Sequence, residues 1–165
     1  MKALECYERS LDIRSQTLPA NHPALGISYN NIGGVFNDMS KHSKALEYHE
    51  KALEIRQAAL PDNHPDIVQS YNNIGGVYIE MGEYSQAAMY QEKILEIQQK
   101  TLVANHPSIV NSHRKLGKVY FKMGEYSKTL SHLERVLDIL QTSLDPNHPD
   151  IEKTKQNIAI VKKKL

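Results

Sequence analysis

Residues 63–77 read NHPDIVQSYNNIGGV, and residues 21–35 read NHPALGISYNNIGGV. The tripeptide Asn-His-Pro returns at 105–107 and 147–149, each time 42 residues after the last. Of the 42 positions in 21–62, 22 are identical in 63–104. The unit 105–146 keeps the frame but carries His113-Arg114-Lys115-Leu116-Gly117 where the earlier units have Tyr-Asn-Asn-Ile-Gly. Residues 1–20 align with the second half of a unit and residues 147–165 with the first half. A fixed period of this length means stacked copies of one small motif, none of which buries its apolar face alone.

Each unit reads as two helices. After Asn-His-Pro, the apolar residues Ile67, Tyr71, Ile74, Val77 and Tyr78 recur at steps of three and four, which is one face of a helix. Proline at the first helical position loses nothing by lacking an N–H, and the polar residue before it can cap the end. Met81-Gly82-Glu83 marks a break, and Tyr84, Ala87, Ala88, Ile94, Leu95 and Ile97 form the apolar face of the next helix. The spacing predicts helices over 2–18, 23–39, 42–60, 65–81, 84–102, 107–123, 126–144 and 149–164. No segment alternates as a strand does. Small residues at Gly33, Gly75, Gly117, Ala45 and Ala87 are expected where two helices approach closely.

Composition narrows the function. The 165 residues hold 20 Lys plus Arg against 19 Asp plus Glu, a net charge of +1, which argues against a general nucleic-acid binder. No apolar stretch approaches the roughly 18–20 residues of a spanning helix, and the opening MKALECYERS lacks the apolar core of a secretory signal. The lone Cys6 cannot form an internal disulfide, which fits a reducing, cytoplasmic setting.

The residues Tyr71, Ile74-Gly75, Tyr78, Gly82-Glu83-Tyr84 and Ala87 resemble the tetratricopeptide repeat pattern, with Gln91 and Ile94 departing from the expected aromatic and alanine. Tyr29, Ile32-Gly33, Phe36, Ala45 and Ala52 match in the first unit, where Ser40 and His42 replace glycine and tyrosine. In the third, His113, Leu116-Gly117, Tyr120, Gly124-Glu125-Tyr126, Thr129 and Val136 follow the pattern more loosely. The usual period is about 34 residues. The 42-residue form with its Asn-His-Pro loops is similar to the kinesin-light-chain and nephrocystin-like branch. The resemblance covers the whole chain. It implies an all-α fold, a right-handed α-solenoid of antiparallel helix pairs, in a single array: a second helix at 1–20, repeats at 21–62, 63–104 and 105–146, and a first helix or cap at 147–165.

The resemblance also implies a concave groove lined by the first helix of each pair, where an extended peptide of a partner protein binds. Carried over residue by residue, the groove positions are Asn30, Asn31, Asn72, Asn73, Arg114, Lys115 and Asn157, with Lys118, Lys122 and Lys153 nearby. An asparagine amide offers both a donor and an acceptor, so it matches a peptide unit without reading its side chain. Ile79 and Phe121, at equivalent positions, are candidates for a side-chain pocket, or for packing against the next unit. Gly34 and Gly76 each cost about 1 kcal/mol against alanine inside a helix; they permit close approach of a ligand backbone, or are simply exposed. Residues 1–104 hold 9 basic and 13 acidic side chains and residues 105–165 hold 11 and 6, so acidic ligand residues are expected toward the C-terminal end.

Four of the 8 histidines are the periodic His22, His64, His106 and His148, too far apart in a stacked array to share one ion, and no metal site is expected. No catalytic or cofactor motif is present, so an enzyme is not expected. The reading is a protein-binding scaffold without nucleic-acid or membrane partners. Its alternative is a structural segment that self-associates head to tail, 147–165 of one molecule against 1–20 of another, through Ile158 and Val161.

Overall fold

The computed structural model describes residues 2–165, and among them are eight α-helices and no strand. They are α1 (Lys2–Thr17), α2 (Pro23–Asp38), α3 (His42–Ala59), α4 (Pro65–Glu80), α5 (Tyr84–Thr101), α6 (Pro107–Lys122), α7 (Tyr126–Ser143) and α8 (Pro149–Lys162). Every helix starts where the spacing predicts and ends within two residues of the expected end. The chain divides into two compact units, one ending at Glu83 and the other beginning at Tyr84.

The periodic histidines start the helices. His22, His64, His106 and His148 are the N-cap residues of α2, α4, α6 and α8, each extended in backbone and each followed by proline at the first helical position. In each, Nδ1 accepts a hydrogen bond from the backbone N–H two residues on, at 3.1–3.2 Å. A ring nitrogen here does what a serine or aspartate oxygen usually does, satisfying a donor that the helix leaves orphaned. It requires the tautomer with its proton on Nε2.

The turns that end the first helices are equally regular. The N–H groups of Lys41, Glu83 and Glu125 reach back to the carbonyls of Phe36, Tyr78 and Tyr120 at 2.9 Å, closing the helix end around a left-handed residue. That residue is Gly82 at φ 78° and Gly124 at φ 77°, but Ser40 at φ 56° in the first repeat.

In the unit ending at Glu83, α1 packs on α2, α2 on α3 and α3 on α4, and α2 also touches α4. Ile32, Phe36, Ala45 and Val77 form its buried cluster, with Leu4, Leu11, Leu46 and Tyr48 packed around them. Gly33 lies where α2 and α3 meet: a Cβ built on it falls 2.8 Å from Nδ1 of His49, so only glycine fits. Gly117 differs, since a Cβ there sits 3.7 Å from Leu133, ordinary contact. The expected close approach therefore holds at Gly33 but leaves room for a methyl group at Gly117.

A second periodic device ties three of the second helices, α1, α3 and α5, to the first helix that follows each. Nη1 of Arg56 donates to the Asp66 carbonyl at 2.8 Å and to Ser70 Oγ at 2.7 Å. One period earlier, Nη1 of Arg14 makes the same pair of bonds, to Ala24 O and Ser28 Oγ. In the unit beginning at Tyr84, Gln98 takes the place of arginine and accepts from Ser112 Oγ at 2.7 Å.

In that second unit α5 packs on α6, α6 on α7 and α7 on α8. Ile158 and Val161, expected to be available for docking on another molecule, are instead buried with Leu133 beneath Tyr126, Leu130 and Leu137 of α7. The positions by which α2 meets α3 (Gly26, Tyr29, Gly33 and Phe36) are matched on α8 by Glu152, Lys155, Ala159 and Lys162, all exposed. Apart from Ala159, that face of α8 is charged and solvated.

Candidate functional site

The first helices of the unit ending at Glu83 bring Asn30 and Asn31 of α2 and Asn72 and Asn73 of α4 to one groove of about 440 Å³. The repeat period places them so: a Tyr-Asn-Asn step at the same turn of two neighbouring, similarly oriented helices puts four amides side by side. Their bonding is unequal. Asn73 Nδ2 donates to Asn30 Oδ1 at 2.7 Å, linking the two helices, and Asn72 Nδ2 donates to the Val68 carbonyl of its own helix at 3.1 Å. The Asn31 amide faces the groove with no hydrogen bond of its own. Two of the four thus serve the fold through one shared bond, while each keeps half of its amide for something else.

Gly34 and Gly76 line the same groove, and a Cβ on either meets nothing within 4 Å. They are not packing glycines. Each leaves a strip of bare helix backbone open toward the groove.

His49 of α3 also lines the groove. It is 3% exposed and its Nδ1 has no hydrogen-bond partner. Burial, with a smaller contribution from the Arg56 guanidinium, pushes it down to about 4, so the ring is neutral near pH 7. Asp38 and Glu80 complete the lining, and no lysine or arginine joins them. Glu80 has His42 Nδ1 at 3.6 Å, and the same nitrogen lies 3.2 Å from Asn37 Oδ1. His42 and His49, seven residues apart, share no ligand, and no cluster of three metal-ligating side chains occurs among the described residues. Ile79 is 38% exposed and does not line this groove.

In the second unit the basic candidates separate into two kinds. Arg114 is committed: its Nη2 meets Asp150 Oδ2 at 2.9 Å and holds that carboxyl below the usual range. Lys115 is half-buried, which lowers its affinity for a proton. Lys118, Lys122, Lys153 and Asn157 are exposed. Phe121, 37% exposed, packs edge-on against Tyr126 with ring centres 5.5 Å apart.

The sequence reading missed His49 as a groove residue and missed a histidine pair. His113 and His132 meet at 2.9 Å through their Nδ1 atoms, and His132 stacks on Tyr120, whose hydroxyl donates to Glu92. One signal was present: in the 42-residue frame His49 falls at the place of Tyr7, Gln91 and Leu133, and the pair at the places of Tyr29 and Tyr48, which also contact each other.

The tetratricopeptide repeat family model matches residues 1–58, 27–100 and 66–142. Among solved structures, a candidate kinesin light chain of Podospora anserina with nearly identical repeats superposes with a TM-score of 0.86 at 25% identity, over 99% of this chain and 77% of that one. BtubC (BKLC) from P. vanneervenii gives 0.79 at 22% identity, over 99% and 65%. The N-terminal domain of stress-induced protein-1 from C. elegans gives 0.62 at 18%, over 85% and 96%. No curated protein matches the sequence. The fold is an all-α solenoid of antiparallel helix pairs, a scaffold fold typical of protein–protein interaction. With two helices per 42-residue unit, a histidine-capped start and a family match running through all three repeats, the chain belongs to the tetratricopeptide repeat family, in its kinesin-light-chain type.

Proposed function

We propose that this chain is a non-catalytic scaffold that holds an extended segment of a partner protein along the first helices of its repeats. The observation that carries the reading is the groove of the first unit: an unbonded Asn31 amide beside the half-used amides of Asn30 and Asn73, with open backbone at Gly34 and Gly76. Such a surface reads a peptide backbone. Amides supply donor and acceptor together, and bare glycine lets main chain approach main chain. In the second unit the exposed Lys118, Lys122 and Lys153 favour acidic side chains of the segment, whereas Arg114 is already paired. No helix of the described residues is long and apolar enough to cross a membrane, and we place the protein in the cytoplasm on the strength of its single, exposed cysteine. Head-to-tail association has no specific observation in its favour, since α8 offers a charged face to a second helix.

The test is a peptide array of extended segments against the full chain, repeated with Asn31→Ala plus Asn73→Ala and with Lys118→Ala plus Lys122→Ala. Binding that the asparagine pair weakens by about tenfold across sequences, and that the lysine pair weakens only for acidic segments, supports the reading. Binding indifferent to the asparagines, or no binding, turns the assignment to a purely structural role.

A further inference from the structure

The groove of the first unit carries unbalanced negative charge. Asp38 and Glu80 occupy the same place in successive repeats and both line it, with no lysine or arginine among the lining. Asp38 has no ion pair or hydrogen bond, and the one group near Glu80 is His42, a cation only when protonated. The corresponding residues one repeat further on are Glu80 and Lys122, then Lys164, so the sign changes along the chain.

The carboxylates do not stand alone. His49 lies at the groove wall, nine-tenths and more buried, and neither ring nitrogen has a hydrogen-bond partner. A buried polar atom left without a partner is unfavourable, and such groups in folded proteins ordinarily have one. Nδ1 faces Gly33, 2.8 Å from where a Cβ on that residue would stand. Nε2 is therefore the nitrogen left to serve a ligand, and a neutral imidazole either donates or accepts there. Two carboxylates are too few ligands for a divalent cation site, and they repel phosphate, which excludes nucleic acid from this groove.

We propose that the groove of the first unit takes an extended protein segment bearing a lysine or arginine, whose cationic head is held by Asp38 and Glu80 while Asn31 and His49 hydrogen-bond the segment's polar groups. This rests on the groove reading above and assigns to the first unit a ligand chemistry opposite to the acidic one of the second. The glycines fit the assignment, because a backbone lying against Gly34 and Gly76 leaves a long side chain free to run along the groove to the carboxylates.

The experiment uses the full chain and three labelled peptides of one neutral Ser/Ala backbone, carrying two lysines, two glutamates or neither, followed by fluorescence anisotropy at low and raised salt. The lysine peptide is expected to bind about tenfold more tightly than the neutral one, and Asp38→Asn with Glu80→Gln to remove that advantage and its salt dependence. Both substitutions conserve shape at exposed positions, and the circular dichroism of the variant checks its fold. A lysine peptide no better than the neutral one, or an advantage that survives the double substitution, overturns the proposal. Asn31→Ala separates the two levels. If it weakens all three peptides while the carboxylate variant changes none, the groove binds peptides but does not select cations; if it weakens none, the groove reading has failed along with the proposal.

Discussion

At Gly33 the absence of a side chain is set by one neighbour. His49 fills the space where a Cβ would stand, at 2.8 Å from Nδ1 and 3.0 Å from Cγ, and the ring is too buried to swing away. Gly33→Ala should destabilise the chain by about 1–3 kcal/mol through overpacking. Gly117→Ala should do the reverse and stabilise by up to about 1 kcal/mol, because Leu133 leaves ordinary contact distance and alanine is the better helix former. Urea unfolding of the two variants decides it, and equal stabilisation of both would show that helix propensity alone rules both sites. The two glycines are indistinguishable in the aligned repeats; the neighbour across the helix pair makes them different.

At the scale of the element, the 42-residue frame explains starts and stops. A histidine cap opens each first helix, and a left-handed residue closes α2, α4 and α6. The frame also exposes one irregular copy. Ser40 holds φ 56° where Gly82 and Gly124 stand in the later repeats, and a non-glycine residue in that region is strained. Ser40→Gly should therefore stabilise the first unit by about 1 kcal/mol. Thermal unfolding tests this, and a loss of stability would mean that the serine side chain contributes something the turn geometry does not reveal. Helix positions were legible in the sequence almost to the residue, because periodic apolar residues, proline and glycine act locally. The arginine latches were not, since nothing near Arg56 in the sequence says that its guanidinium will find Ser70, fourteen residues on.

At the scale of the molecule, the buried His49 and His113 and the half-buried His132 make stability depend on pH. His113 is pushed down to about 4 by burial, then by His132 and by Arg135, and burial also lowers His132 against the pull of Glu92. His49 is pushed down to about 4 as well. Their folded forms bind protons less readily than the unfolded chain does at its ordinary value of 6.5. Stability is therefore complete above that value and is lost as the pH falls from 6.5 toward 4. The melting temperature is expected to drop on the order of 5 °C between about pH 7 and pH 5. Replacing the pair as His113→Tyr with His132→Tyr, on the pattern of Tyr29 and Tyr48, should shrink that drop, and circular dichroism melts at both pH values measure it. A drop of undiminished size in the double variant would assign the acid sensitivity elsewhere.

Read by itself, the sequence determined the repeat, the two helices within it, their ends, and which turns of the first helices carry asparagine. These are consequences of local steric and hydrogen-bonding rules repeated at one period, which no partner elsewhere in the chain has to supply. It could not decide which of the carried-over residues are spent on the fold: Asn73 on Asn30, Arg114 on Asp150, Ile158 and Val161 on α7. Nor could it place His49 in the groove. Those outcomes depend on which side chains from different helices come within bonding distance. Side chains as far apart in the chain as Asn30 and Asn73, separated by 43 residues, meet at ångström distances only after packing, and packing alone leaves one amide bonded and the next free.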